Sequence, residues 1–176
     1  LSESNRPDSN WQKSFSPSAT GSGQGGALIY KYWSEFGDYL TAKKSVLKAR
    51  APRTKPYSVM SIGRSGFNLT AEAYIRKRYM WVTLLMRGND STAHFNLLHE
   101  EKDAIENEYG SELEWHEEPN KKRSRIVAVK KDIDIANNED WRNQHEWLAD
   151  NLEKFQQIFQ KRILKLNADD YQHPED

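Results

Sequence analysis

Two pairs of carboxylates have a spacing at which a divalent metal could be held. Glu112 and Glu114 stand two residues apart, so a strand would place both on one face, and Asp132 and Asp134 repeat that spacing. A metal-dependent nuclease needs an Asp and then a Glu-X-Lys, which hold the metal and orient the attacking water. No lysine follows Glu114 at that spacing. A strand edge and a loop explain the two pairs better, so we expect no catalytic residue, metal or other cofactor, and a divergent metal-dependent nuclease is the least favoured hypothesis.

A short glycine-flanked segment, Gly63-Arg64-Ser65-Gly66, could cradle a phosphate, with Arg64 as its charged partner. The segment lacks the length and the lysine of a P-loop. A hairpin turn explains both glycines equally simply, because turns use glycine where φ is positive. The turn is the favoured interpretation, and Arg64 is kept as a candidate contact to nucleic acid.

Cations alternate with aromatic side chains along two predicted strands and the turn between them. Aromatic rings stack on bases and cations contact phosphates, so this pattern suits nucleic-acid binding. A face rich in Trp and Arg would equally suit burial against an upstream nuclease-like domain or a second copy of the chain. The predicted nucleic-acid-binding residues are Arg64, Tyr74, Arg76, Lys77, Arg78, Trp81 and Arg87.

The formal net charge of zero conceals an uneven distribution along the chain. Between Thr41 and Arg87 there are eleven Lys and Arg residues and a single acid, Glu72, whereas between Asp90 and Glu118 ten acids face one base, Lys102. Charge segregated in this way can give a neutral molecule a positive surface. DNA or RNA therefore remains a possible partner.

The apolar periodicity predicts an α+β fold in the order α-β-β-β-α-β-β-α. Because hairpin links are too short for parallel crossovers, the sheet of about five strands should be mainly antiparallel, with helices packed on one face. The predicted elements are a helix over 28–48, strands over 57–62, 67–75 and 79–86, a helix ending at Tyr109 before Gly110, strands over 113–117 and 125–130, and a helix over 139–166. The predicted buried residues include Trp33, Phe36, Leu84, Phe95, Ile105, Leu148 and Phe159.

Composition divides the chain into three parts. Residues 1–26 are rich in Ser, Gly, Asn and Pro and are predicted to form a flexible linker or tail, with Trp11 and Phe15 as its apolar exceptions. Residues 27–167 should form a single α+β domain, and residues 168–176 a frayed acidic C-terminus. The absence of cysteine and of any apolar run of roughly 18–20 residues favours a cytoplasmic protein with no membrane partner.

Several anchors occur in an order that resembles a known family. They are Tyr32-Trp33-Ser34-Glu35-Phe36, the segment from Ser61 to Phe67, the helix end from Lys102 to Gly110, Leu113-Glu114-Trp115, Trp141 and Trp147-Leu148. This run resembles bacterial domain-of-unknown-function (DUF) family 4268, a C-terminal domain that often follows restriction-endonuclease-like (PD-(D/E)XK) domains. The resemblance implies an accessory role in a restriction-like or defence-related protein and carries over no catalytic residue.

These observations leave three hypotheses for the function. The first is a non-catalytic accessory domain that binds nucleic acid through a basic and aromatic sheet face. The second is a structural dimerisation or domain-docking module. The third is the divergent nuclease.

Overall fold

The computed structural model describes residues 23–174, which contain four α-helices and five strands. The helices are α1 Gln24–Ala42, α2 Ser91–Glu100, α3 Lys102–Tyr109 and α4 Trp141–Lys165. The strands are β1 Tyr57–Ser61, β2 Phe67–Tyr74, β3 Tyr79–Arg87, β4 Glu114–Glu118 and β5 Arg123–Lys131.

The strands form one sheet in the order β1-β2-β3-β5-β4, and every neighbouring pair is antiparallel. β3 lies at the centre of the sheet, and its sequence is apolar on both faces, which suits a strand covered by neighbours on each side. Its register pairs Tyr74 with Tyr79 across the β2–β3 turn and Tyr79 with Lys131 of β5. The predicted fold class, an α+β fold on a five-stranded antiparallel sheet, is confirmed.

The helices cover one face of the sheet. On that face Met80, Val82, Leu84 and Met86 of β3 join the alternating apolar residues of β2 and β5 in a single core. The helices contribute the apolar stripes predicted from their periodicity, and α4 contacts both β2 and β3. All seven residues named as buried are buried, which confirms that prediction. We call the opposite sheet face the second face.

The predicted middle helix is two helices, which is a correction to the predicted element order. At Glu101 the backbone leaves the helical region (φ −96°, ψ 13°), and its N–H donates to the Leu98 carbonyl three residues back at 3.0 Å. This tighter turn ends α2 and lets α3 start in a new direction. α3 ends at Tyr109 before Gly110, as predicted, and Gly110 adopts the left-handed conformation (φ 98°) that commonly ends a helix.

The first helix begins and ends earlier than its apolar stripe predicts. It starts at Gln24, so the last three residues of the predicted linker are helical, and it stops at Ala42 because Lys44 adopts a left-handed backbone (φ 55°). At the other terminus, residues 168–170 form a 3-10 turn in which Asn167 accepts a hydrogen bond from the Asp169 N–H at 3.1 Å. Residues 1–22, which hold most of the predicted linker, lie outside the described residues, as do residues 175–176.

Candidate nucleic-acid interface

Five cations meet at one end of the sheet. Arg76, Lys77 and Arg78 form the β2–β3 turn, and Arg78 reaches the left-handed region (φ 51°) that such a tight turn requires. Lys130 and Lys131 end β5 beside it, because Met80 pairs with Lys130 and Tyr79 with Lys131. We call these five residues the turn-end cluster.

The turn-end cluster is held in place by backbone contacts. The Lys77 N–H donates to the Tyr74 carbonyl at 3.2 Å, and the Ile133 N–H donates to the Arg78 carbonyl at 3.1 Å. Arg76, Arg78 and Lys131 are exposed, and within residues 23–174 no ion pair joins any of these three or Lys130 to a carboxylate. Asp132, which follows Lys131, is the nearest acid along the chain. The cluster therefore presents an excess of positive charge to solvent.

Sequence reasoning missed the two lysines of this cluster. Their pairing with β3 joins positions about fifty residues apart, and a single sequence does not show which strand is the neighbour of β3. The signal that could have found them is the Lys130-Lys131 pair at the end of a predicted strand. Cations collect there only because the β3–β5 ladder brings that strand end to the β2–β3 turn.

The opposite end of the sheet also carries cations, but three of them are paired with one carboxylate. Glu118, at the end of β4, accepts from Arg123 Nε at 2.6 Å and from Lys121 Nζ at 3.0 Å, and Arg125 Nε lies 3.7 Å from it. Burial acts to raise the pKa of Glu118, but the bonds from Arg123 and Lys121 and the charge of Arg125 outweigh it and lower the pKa to about 2. We call these four residues the Glu118 cluster.

Arg87 lies at that same end, where its backbone pairs with Arg123. The side chain of Arg87 is exposed, and the backbone N–H of Arg87 donates to the Gly66 carbonyl at 2.8 Å. Eight residue steps along β3 separate Arg87 from Tyr79, a distance of about 27 Å. Arg87 therefore does not belong to the same patch as Arg76, Lys77 and Arg78.

The predicted aromatic residues share the second face but are buried. Tyr74, Tyr79 and Trp81 pack against one another, with ring centroids 5.2 to 5.8 Å apart. Arg125 lies over the Trp81 ring at 5.7 Å. Tyr74 and Trp81 are each only 1% exposed, so base stacking would require these rings to be uncovered first. Burial, with the nearby charge of Glu72, raises the pKa of Tyr74.

A buried carboxylate belongs to the same face. Glu72 accepts a hydrogen bond from Thr70 Oγ1 at 3.1 Å and another from the Tyr74 hydroxyl. These bonds compensate part of the cost of removing the carboxylate from water. The second face is therefore polar and aromatic yet shielded, which its alternating sequence alone does not predict.

Arg64 lies away from the other candidates, on the side of the helices. Its guanidinium donates to the carbonyls of Ile163 and, at 2.8 Å, Leu166, where α4 ends, and lies 5.3 Å from the centre of the Phe67 ring. A cation at a helix C-terminus satisfies free carbonyls and complements the helix dipole. The segment Gly63-Arg64-Ser65-Gly66 is the β1–β2 turn, in which φ is positive at both glycines. From this turn the Arg64 side chain caps the C-terminus of α4.

Folding also pairs charges that are segregated along the sequence. Lys43 binds Asp150 at 2.7 Å and Glu153 at 3.0 Å, and Arg162 binds Glu101 and Glu108, each at 2.6 Å. The basic stretch before Arg87 and the acidic stretch after Asp90 thus each find partners on α4. The cations of the turn-end cluster lie outside these networks.

The two carboxylate pairs are used in different ways. Glu114 lies on the second face within 3.0 Å of His116 Nε2, and Asp134 Oδ1 accepts from the Ala136 N–H at 3.0 Å. In the described part of the chain no three His, Asp or Glu side chains are grouped so that they could hold a metal ion. Among those same residues, no helix is long and apolar enough to cross a membrane.

Comparison with known proteins gives one match. The sequence model of a family described as "Domain of unknown function (DUF4268)" matches residues 29–163. No curated protein matches the chain. No solved structure matches it either. The matched range runs from α1 almost to the end of α4 and includes the whole sheet.

Proposed function

This chain belongs to the DUF4268 family, and, since the family description assigns no activity, we propose from the surface of the domain itself that it binds the phosphate backbone of nucleic acid. The turn-end cluster carries the proposal. Five cations from two chain segments converge there, and within the described residues at least four of them make no ion pair. Phosphate contacts of this kind give affinity without reading the sequence.

The proposed mode of binding is narrower than the sequence pattern suggests. Tyr74 and Trp81 are buried, so their rings are not available to stack on bases. The proposed binding is therefore through contacts to phosphates alone. Arg64 is excluded, since its guanidinium caps α4. Arg87 could make at most a separate contact, about 27 Å from the turn.

The proposed role is that of an accessory domain. The resemblance to domains that follow restriction-endonuclease-like ones suggests that catalysis resides in another part of a restriction-like or defence-related bacterial protein. In such an arrangement the turn-end cluster would hold nucleic acid in place while the neighbouring domain acts on it. The proposal assigns no catalytic residue to this domain.

A binding assay on a labelled DNA duplex and an RNA strand at low salt tests the proposal. Replacing all five cations of the turn-end cluster with glutamine should weaken binding to both by at least about tenfold, because phosphate contacts are lost. A control that removes three charges replaces the exposed lysines Lys31, Lys161 and Lys165 on the helical side with glutamine and should bind as the unaltered protein does. Equal affinities for the five-cation variant and the unaltered protein would contradict the proposal.

A docking or dimerisation module remains the second candidate, because large apolar side chains such as Val46 and Leu164 are exposed. Phosphate contacts weaken steeply as salt rises, whereas apolar contacts between proteins do not. A salt-resistant dimer that binds neither DNA nor RNA would favour this second function over the first.

A further inference from the structure

The charge next to the turn-end cluster differs between its two sides. On the β5 side the chain continues from Lys131 into residues 132–140, which hold four acids, Asp132, Asp134, Glu139 and Asp140. On the β1 side the chain that leads into the sheet, residues 44–55, holds five cations and no acid. The positive charge of the cluster therefore ends at β5 and continues past β1.

The last residues of this stretch lie beside the β2–β3 turn. The Ala73 N–H donates to the Pro56 carbonyl at 2.8 Å, just before β1 pairs with β2. Ala73 precedes Arg76 of the turn by three residues, and Lys55 directly precedes Pro56. Because β1 and β2 are antiparallel, the start of β1 and the β2–β3 turn lie at the same end of the sheet. From β5 to β1 this end is three strand spacings wide, about 14 Å.

The path of the chain before β1 is fixed by the fold. We call Lys48, Arg50, Arg53 and Lys55 the basic segment. Leu47 and Pro56, which flank it, are both buried. The Lys55 carbonyl also accepts a hydrogen bond from Trp33 Nε1 at 2.8 Å, which ties the segment to α1. The cations are therefore presented from an anchored part of the chain.

The side chains of the basic segment are open to a partner. Lys48, Arg50 and Arg53 are exposed, and Lys55 is half-buried. Within residues 23–174 no ion pair joins any of the four to a carboxylate. Among the described residues that line the groove between this segment and α1, Asp38 is the only acid. The segment therefore carries a net positive charge beside the turn-end cluster.

We propose that the phosphate backbone bound by the turn-end cluster continues over the basic segment, an inference that rests on the proposed function. Seven residue steps separate Lys48 from Lys55, a distance of at most about 25 Å. With the width of the sheet end, the surface is up to about 39 Å long. At about 3.4 Å of helix axis per nucleotide of one strand, this length corresponds to roughly eleven nucleotides. The partner is then a polynucleotide and not a free phosphate or a mononucleotide.

The salt dependence of affinity for one DNA duplex of about twenty base pairs tests this extension. Lys48→Gln/Arg50→Gln/Arg53→Gln should lower the magnitude of the slope of log affinity against log salt by roughly 2 to 3, because each lost phosphate contact removes about 0.7–0.9. The matched control Lys31→Gln/Lys161→Gln/Lys165→Gln removes the same charge from the helical side and should keep the slope. An equal reduction in this control would overturn the inference.

The same titrations separate this inference from the proposed function. A reduced slope in Arg76→Gln/Lys77→Gln/Arg78→Gln with an unchanged slope in the basic-segment variant would overturn the inference and leave the proposed function standing. Unchanged slopes in both variants would overturn both. Inorganic phosphate that competes as well per phosphate as the duplex would also overturn the inference, since a continuous surface favours linked phosphates.

A second measurement leaves every charge in place. The chain has no cysteine, so Ala51→Cys and Ala104→Cys can each carry a single photo-crosslinking group, and both positions are exposed. The group at Ala51, between Arg50 and Arg53, should crosslink to the bound duplex, whereas the group at Ala104 on α3 should not. No crosslink from Ala51 in a labelled protein that still binds the duplex would overturn the inference.

Discussion

The two ends of the sheet contain similar numbers of cations and use them differently. At one end Glu118 gathers Lys121, Arg123 and Arg125 into a network that lowers its pKa to about 2. At the other end the turn-end cluster contains five cations, and at least four of them form no ion pair within residues 23–174. The ends are about 27 Å apart, well beyond a Debye length of about 8 Å at physiological salt. Each end therefore acts independently on its surroundings.

Cation content alone therefore does not identify a binding surface. Cations that are paired and partly buried stabilise the fold, and breaking their pairing leaves buried charge uncompensated. Cations that are exposed and unpaired contribute little to stability and remain available to a partner. We expect substitutions at the two ends to separate stability from binding.

The largest expected effect is at the Glu118 cluster. Glu118→Ala should lower the free energy of unfolding by about 2.5 kcal/mol, because it leaves two partly buried arginines, Arg123 and Arg125, without their carboxylate. Glu117→Ala on the same strand is the control, since that carboxylate is exposed and accepts a long hydrogen bond from Asn96 Nδ2 at 3.4 Å. Chemical denaturation measures both, and equal losses would mean that the network does not stabilise this end.

The same carboxylate gives the fold a pH dependence. The pKa of Glu118 is about 2 in the folded protein against an ordinary 4.5, so its contribution is complete above pH 4.5 and is lost as the pH falls towards 2. The loss should be about 2 kcal/mol after allowance for partial solvent exposure. Denaturation curves of Glu118→Gln should lack this component, whereas Arg76→Gln/Lys77→Gln/Arg78→Gln should retain it. If Glu118→Gln still lost the full amount of stability on acidification, that loss would belong to other ionisable groups.

Arg64 is a third kind of cation, neither bound by a carboxylate among the described residues nor left exposed, but held by the carbonyls at the end of α4. Because its guanidinium caps α4, Arg64→Ala should cost about 1.5 kcal/mol of stability. The same change should not alter affinity for DNA or RNA, as that cation is already bound by helix carbonyls. Thermal unfolding and a binding titration on one preparation measure the two effects. Lost affinity with unchanged stability would return Arg64 to the proposed interface.

The smallest stability effect is expected at the turn end. Arg76→Gln/Lys77→Gln/Arg78→Gln should change the free energy of unfolding by no more than about 0.5 kcal/mol, the usual range for exposed positions. The left-handed residue Arg78 is replaced by another unbranched side chain, so the turn gains no new strain. A large destabilisation would show that these cations, like those around Glu118, serve the fold.

The sheet and its core could be predicted from sequence because their signals are local. Strict alternation in β2 set which of its residues share a face, the apolar run of β3 indicated a strand buried on both faces, and Arg76 to Arg78 correctly marked the turn between them. The break between α2 and α3 was missed because the apolar stripe continues through Glu101 while the backbone turns there.

The candidate site depends on contacts that no single segment records. Arg64 meets carbonyls about one hundred residues away, and Lys130 reaches the turn only through its pairing with Met80. The burial of Trp81 was likewise invisible, since alternation assigns a residue to a face and does not say what covers that face. These long-range contacts therefore remove Arg64 from the predicted nucleic-acid contacts and add Lys130 and Lys131.

The salt dependence of nucleic-acid affinity is the decisive test of phosphate binding by the turn-end cluster. The measurement plots log affinity for one DNA duplex against log salt concentration. Each lost phosphate contact should lower the magnitude of the slope by about 0.7–0.9. The variant Arg76→Gln/Lys77→Gln/Arg78→Gln should therefore lower it by roughly 2 to 3. The control Lys31→Gln/Lys161→Gln/Lys165→Gln removes the same charge from the helical side and should keep the slope of the unaltered protein. Equal slopes for all three proteins, or equal reductions in both variants, would contradict the assignment of the turn-end cluster as the phosphate-binding surface.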